Sequence, residues 1–373
     1  MKILFVSNSA WNLYNFRAPI IKAFIKDSIQ VNCLCKFDNY ELELKKMGCG
    51  ELINLKSILA RGKNPFKDLK LLFEIHKAYK SLQPDLIFLF TPKLNIYGGI
   101  AATFGGRQYV NNITGLGSEF KLELGFPIYL KMLYRMAMKN AFCVVSHNLV
   151  DLDYLIGQNI TNKSKSIVIP GSGINTEYFQ PNKKISSVKR FLFMGRLLKE
   201  KGIVEFIEAA QILSRQNPDL RFRIVGNNYG VKDEKLDNLL NGLREHSSFE
   251  FLDFTNDPKK EYEESDCFVL PSFREGMSKS LLEAMAMSRL VIATKVPGCQ
   301  EAIQEDVNGF LSIVGDRESL LKNMKRVIEL DMESIEQVCN NARNTIQTYY
   351  CEEIIAAQYL KIIEAFKLNY SKA

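Results

Sequence analysis

Histidine is almost missing from this sequence: His76, His147 and His246 are the only three in 373 residues. Chemistry that turns on an imidazole therefore has few groups to use. The eight cysteines form no C-x-x-C pair, and Cys33, Cys35, Cys143 and Cys267 sit inside apolar runs. That placement suits buried reduced thiols rather than disulfides or zinc ligands. No apolar run approaches the ~18 residues of a membrane span, and Met1-Lys2-Ile3-Leu4-Phe5-Val6-Ser7 is too short for the apolar core of a signal peptide. These absences place the chain in the cytoplasm as an expectation.

What is present is an ordinary globular composition, with 46% hydrophobic and 24% charged residues. A chain of this length exceeds what one core serves, so two domains are expected. Strand-like and helix-like segments alternate: Lys2 to Ser7, a helix from about Asn15 to Lys26, Val31 to Cys35, Tyr40 to Met47, Leu52 to Leu55, Pro65 to Leu82, Leu86 to Phe90. This α/β alternation predicts parallel sheets with helices on both faces. Pro170-Gly171-Ser172-Gly173-Ile174-Asn175 is the strongest linker signal and puts a boundary near residue 178.

The densest cluster of signals runs from Leu270 to Met287. The apolar run Cys267 to Leu270 reads as a buried strand stopped by Pro271, and an amphipathic helix restarts near Ser278 or Ser280. Glu275 lies on the loop between them and Glu283 in the first turns of the helix, seven residues apart. The amides of Gly276, Met277 and Ser278 would then face a diphosphate from a helix N-terminus. Two carboxylates beside an anion site make sense if they accept hydrogen bonds from hydroxyl groups of a phosphate-bearing ligand, which describes a nucleotide sugar. Upstream, the strand Arg190 to Met194 leads into Gly195-Arg196-Leu197-Leu198-Lys199-Glu200-Lys201-Gly202. Two fixed cations at such a turn would neutralise a departing diphosphate in place of a metal ion. Ile224-Val225-Gly226 and Phe251-Leu252-Asp253-Phe254 end strands on the same side, where a nucleobase would stack.

The Leu270–Met287 segment resembles the E-x7-E signature of retaining glycosyltransferases of family 4, whose GT-B fold sets two Rossmann-like domains face to face across a donor and acceptor cleft. The resemblance implies that Glu275 contacts the transferred sugar, Glu283 the ribose, and Arg196 and Lys201 the donor diphosphate, with Gly195 and Gly226 beside them. It implies an acceptor domain at 1–178, a donor domain at 179–351, and a last helix, about 352–373, that crosses back onto the first. No metal or cofactor is implied beyond the nucleotide-sugar substrate, expected to be UDP-linked. Arg274 and Lys279-Ser280-Leu281-Leu282 resemble the branch that extends undecaprenyl-diphosphate-linked saccharides, where N-acetylgalactosaminyltransferases occur. A nucleotide-sugar 2-epimerase of the same fold is the rival, disfavoured by the scarcity of histidine; a transferase to a soluble acceptor and a sugar-nucleotide binder without catalysis are the others.

Acceptor-side candidates follow from position. Asn15 and Arg17 follow a first turn that lacks the glycines common in relatives, and they serve either an acceptor or the helix start. Arg61-Gly62-Lys63-Asn64-Pro65 puts positive charge on a loop, and Lys93, just after a strand, is either solvated or an acceptor-phosphate contact. Thr114, Gly115 and Gly117 follow the strand Val110 to Ile113, a place where backbone approaches ligand. Asp151-Leu152-Asp153 falls on a helix and reads as solvated rather than metal-binding.

Charge is uneven. Residues 1–177 hold 22 basic against 13 acidic residues, a net of +9, while the remainder is −2. An anionic partner for the first half follows. Nucleic acid is not expected, because no recognition motif accompanies the charge. Lys131, Arg135 and Lys139 recur every four residues among aromatic and aliphatic side chains, which describes either an interfacial helix or a core helix with a solvated basic edge. The former predicts peripheral attachment to the anionic inner face of a cell membrane, next to a lipid-linked saccharide acceptor.

Overall fold

The computed structural model describes residues 1–58, 65–117, 120, 125–228 and 233–370. The chain divides into two compact units, Met1–Gly173 with Glu352–Ala373, and Ile174–Cys351. The passage between them falls after Gly173, inside the Pro-Gly segment and ahead of residue 178.

In the first unit, β1 (Lys2–Val6), α1 (Ala10–Lys26), β2 (Gln30–Cys35), α2 (Glu41–Lys46), β3 (Leu52–Asn54), α3 (Pro65–Leu82), β4 (Leu86–Phe90), α4 (Pro92–Phe104), β5 (Tyr109–Ile113), α5 (Ile128–Met138), β6 (Cys143–Ser146), α6 (Leu149–Gly157) and β7 (Ser166–Val168) follow one another. The strands form one parallel sheet in the order β3-β2-β1-β4-β5-β6-β7. Alternation along β1 feeds two cores. Leu4 and Val6 pack with α3, α4 and α5, and Ile3 and Phe5 pack with α1. The second core is completed by Ile355, Tyr359, Ile362, Ile363 and Phe366 of a helix that comes back from beyond the second unit.

The second unit repeats the plan with β8 (Arg190–Met194), α7 (Ile203–Gln216), β9 (Arg221–Val225), α8 (Glu234–Asn241), β10 (Phe249–Leu252), α9 (Pro258–Glu263), β11 (Cys267–Leu270), α10 (Lys279–Ala286), β12 (Leu290–Thr294), β13 (Phe310–Ser312), α11 (Arg317–Ile328) and α12 (Met332–Thr345). Its parallel sheet runs β10-β9-β8-β11-β12-β13. A π-helical turn, Ile346–Tyr350, then leads to the returning helix α13 (Glu352–Tyr370). In each sheet the order reverses once, between β1 and β4 and between β8 and β11. Doubly wound sheets bind ligands beyond the strand ends at that reversal.

Two local readings are corrected. Helix α1 begins at Ala10 rather than near Asn15, because Ser9 caps it by accepting the Asn12 amide at 3.1 Å. Asp151 is buried rather than solvated, since its amide and carboxylate are both engaged by Asn148, at 2.7 and 3.2 Å. All eight cysteines are buried thiols. Among the described residues no helix is long and apolar enough to cross a membrane. The basic segment at 61–64 and positions 118–119 of the glycine loop lie outside the described residues.

Candidate active site

The site of the second unit is built on the two segments that leave the central strands. After β8, a single 3-10 turn, Lys199–Lys201, ends at Gly202 with φ +72. A Cβ at Gly202 would overlap the carbonyl oxygen of Pro271, the residue that stops β11. The two segments touch there, and the Phe273 amide donates to the Glu200 carbonyl at 3.0 Å. This contact delivers Lys201 to Glu275. The ammonium donates to Glu275 Oε1 at 2.6 Å, with both side chains largely buried, and Ser272 Oγ donates to the same oxygen at 2.7 Å. Oε2 has no partner among the described residues. An ammonium has three N–H donors, so Lys201 retains capacity for phosphate oxygens.

Glu283 sits on the first turns of α10 and is 5% exposed. Lys279 holds Oε1 at 3.0 Å, and the Tyr262 hydroxyl lies 3.1 Å from Oε2 and 2.9 Å from the Ser280 carbonyl. Burial first, and then the Glu283 charge, push the Tyr262 phenol well above its ordinary range, so it stays a protonated donor. Glu283 is therefore a carboxylate fixed in orientation, with lone pairs left over.

Of the three amides expected at the start of α10, that of Ser278 is already engaged. It donates to the Gly298 carbonyl at 3.2 Å, while the Ser278 hydroxyl caps α10 through the Leu281 amide at 3.3 Å. Ser278 thus shapes the loop of Gly276 and Met277 instead of offering its own N–H to an anion. Arg196 stands apart from the Lys201–Glu275 pair; it is half-exposed, and its guanidinium is 3.4 Å from Glu200.

Gly195 and Gly226 meet at the ends of β8 and β9. A Cβ on Gly226 would overlap the Gly195 carbonyl oxygen. Beyond them opens a cavity of about 420 Å³ whose walls include Leu197, Gly226, Asp237, Arg244, Phe251 and Asp253. Its volume suits a small organic ligand, and the Arg244 guanidinium lies 5.9 Å from the Phe251 ring centre. Sequence reasoning reached Gly226 and Phe251 through their strands and missed Asp237 and Arg244. Helix α8 announces its core side through Leu236, Leu239, Leu240 and Leu243, whereas Asp237 and Arg244 lie among its polar residues, where a ligand wall and ordinary surface read alike. Ser272 and Gly298 were also missed, although Pro297-Gly298 is a turn signal.

In the first unit the acceptor-side candidates scatter. Asn15 Nδ2 donates to the Trp11 carbonyl at 3.0 Å, within α1. Lys93 is tied to Asp68 at 3.0 Å, so it is ion-paired rather than simply solvated. Thr114 is partly exposed at the end of β5, followed by Gly115 and Gly117 at φ +132 and +76. Arg17 is buried. On α5, Lys131 donates to Gln158 Oε1 at 2.8 Å and Arg135 to the Gln158 carbonyl at 2.7 Å, and Lys139 is exposed just past the helix. Alongside them Ile128, Met132 and Met136 form an exposed apolar stripe, and α3 exposes Phe66, Leu69 and Phe73 at helical spacing.

The sequence matches the family described as glycosyl transferases group 1 over residues 174–345, and the one described as glycosyl transferase 4-like over residues 2–148. The chain is a GT-B glycosyltransferase. It is 28% identical to the N,N'-diacetylbacillosaminyl-diphospho-undecaprenol alpha-1,3-N-acetylgalactosaminyltransferase of Campylobacter jejuni, over 98% of both chains. It is 28% identical to the UDP-Gal:alpha-D-GlcNAc-diphosphoundecaprenol alpha-1,3-galactosyltransferase of Escherichia coli, over 77% of each. Among solved structures, Anabaena Alr3699/HepE in complex with UDP-glucose superposes with a TM-score of 0.81 at 19% identity, covering 98% of this glycosyltransferase and all of that chain. The sucrose-phosphate synthase of Thermosynechococcus elongatus gives 0.80 at 17%, with full coverage of both. The glycosyltransferase shares their two-domain parallel-sheet fold.

Proposed function

We propose that this glycosyltransferase moves a hexose or N-acetylhexosamine from a UDP-sugar onto a hydroxyl of an undecaprenyl-diphosphate-linked saccharide, with retention and without a required metal ion. The observation that carries the donor half is the Lys201–Glu275 pair at the reversal of the second sheet. The acceptor half is supported by the printed specificities of the Campylobacter and Escherichia relatives. The relatives named above are transferases, so nothing favours the epimerase.

In this reading the bond from the sugar's anomeric carbon to the diphosphate breaks while the acceptor oxygen bonds to the same face. The acceptor proton passes to the departing diphosphate. Lys201 neutralises that group, with Arg196 joining when donor is bound, and Glu275 holds the sugar in the orientation that ionises. Glu283, already fixed by Lys279 and Tyr262, accepts from the ribose. The charge needed on the leaving group comes from side chains, so chelation should lower turnover only slightly. The apolar stripes of α3 and α5 beside Lys131, Arg135 and Lys139 support peripheral attachment to an anionic inner leaflet.

The test is incubation with a panel of UDP-sugars and with lipid-linked or free saccharides, read by mass spectrometry. A lipid-linked product carrying one added hexose or N-acetylhexosamine is the expected result. Transfer only to free sugars would replace the acceptor assignment, an epimerised donor would replace the reaction, and complete loss under chelation with rescue by magnesium would replace the charge assignment.

A further inference from the structure

At the reversal of the first sheet a guanidinium is buried without a carboxylate partner. Arg17 is 3% exposed, with its guanidinium carbon 4.3 Å from the centre of the Phe90 ring at the end of β4. Nη1 donates to Ser172 Oγ at 3.0 Å, while Nε is buried and has no hydrogen-bond partner. Burial lowers its pKa to about 10, which leaves it charged at neutral pH. His147, just past β6, is 4% exposed with a buried, unpartnered Nε2. Burial and then the Arg17 charge hold its imidazole neutral. Thr91, the residue after β4, has a buried Oγ1 without a partner and φ +71, an uncommon conformation for a β-branched residue. Buried charge is ordinarily paired and buried polar atoms ordinarily bonded. Here three elements converge on one strand-end region and leave both unanswered.

We propose that Arg17, His147, Thr91 and Ser172 form a phosphate-binding site belonging wholly to the first unit. The chemistry is that of a phosphate or diphosphate anion. The guanidinium edge supplies a charge-assisted fork, His147 donates with its proton on Nε2, and the two hydroxyls donate the rest. The diphosphate of a lipid-linked acceptor fits this site, an identification that rests on the transferase reading above; a free inorganic anion shares the chemistry.

The probe is inorganic pyrophosphate, titrated calorimetrically into full-length Lys201→Ala protein so that a principal donor-site cation is gone. Saturable binding is expected, weakened at least tenfold by adding Arg17→Gln and at least threefold by adding His147→Leu. UDP affinity in proteins with Lys201 intact should stay within twofold. If Arg17→Gln does not fold, His147→Leu decides. Unchanged pyrophosphate affinity in a folded variant, or no saturable binding at all, overturns the site. The source is then read from kinetics with a saccharide-diphosphate-lipid and with the same saccharide free. A tenfold rise in KM confined to the lipid-linked acceptor, with kcat held, assigns the site to the acceptor; equal KM values with pyrophosphate binding still lost assign it to a free anion. Should the wild type use neither acceptor, the transferase reading falls while the titration still decides the site.

Discussion

Lys201 and Glu275 share a 2.6 Å hydrogen bond in a largely buried setting, so each substitution exposes what the other was doing. Lys201→Ala should lower kcat/KM by roughly 30-fold or more, about 2 kcal/mol or above, as truncating a desolvated charge contact does. Glu275→Gln should chiefly lower kcat, because its partner in the reaction changes charge in the transition state, whereas Glu283→Gln should chiefly raise the donor KM. Steady-state kinetics at varied donor would separate them, and normal values for all three would dissolve the site. His147 provides a second residue-scale outcome. Its folded-state pKa lies well below 6.5, so between the two values the unfolded chain binds more protons and stability falls as pH falls. The slope is at most about 1.4 kcal/mol per pH unit. Wild-type protein should therefore lose more stability from pH 6.5 to 5 than His147→Leu, as read by urea unfolding; parallel losses would contradict the burial. The places of Glu275 on the loop after β11 and of Glu283 on the first turns of α10 were legible because a short apolar run, a proline and an amphipathic restart mark strand, loop and helix. That Lys201 comes pre-paired with Glu275 was not legible, because the pairing depends on Gly202 meeting Pro271 across 69 positions of sequence. Nor did the sequence reveal that Arg17 is buried, since no partner residue signals it.

At the scale of elements, Gly202 joins the two loops that carry Lys201 and Glu275. Gly202→Ala would meet both a disfavoured φ and the Pro271 carbonyl, so the loops must part. A displacement of an ångström at such a pair costs on the order of 100-fold in rate. Turnover should drop at least tenfold while far-ultraviolet circular dichroism is retained, and full activity would mean that the contact does not position Lys201. Long helices were read from their periodicity, and strands buried along their whole length, such as β4 and β11, from short continuous apolar runs. The start of α1 was misread because Ser9 acts through one side-chain bond that leaves no periodic trace. Helices α3 and α5 show the converse: their apolar residues obey helical spacing, yet Phe66, Phe73, Ile128 and Met132 face outward, 86%, 66%, 70% and 57% exposed. Both helices flank α4 over one face of the sheet. Phe73→Glu with Met132→Glu should reduce binding to anionic vesicles by tenfold or more without changing UDP affinity, since each apolar side chain inserted gives about 1.5–3 kcal/mol. Equal binding by variant and wild type would return these stripes to ordinary surface.

For the whole molecule, the charge of +9 before residue 178 against −2 after it concentrates any attraction to an anionic surface on one unit. Such attraction weakens as salt shortens the Debye length from about 10 Å at 0.1 M to about 3 Å at 1 M. The two-sheet plan was legible in the alternation of segments, and the return of the last helix came from resemblance, because helical periodicity does not say which core a helix joins. That return has a consequence for the order of events during synthesis. The α1-side core of the first unit waits for Ile355, Tyr359, Ile362, Ile363 and Phe366, which leave the ribosome only after the whole second unit. Five such side chains contribute on the order of 10 kcal/mol of burial before the entropy of ordering is set against it. A chain stopped after Cys351 should therefore fold its second unit and leave the first loose, with hydrogen exchange protected in β8 to β13 and fast in β1 to β7. The half made first is finished last, and until then it offers an uncovered apolar sheet face for chaperones to shield.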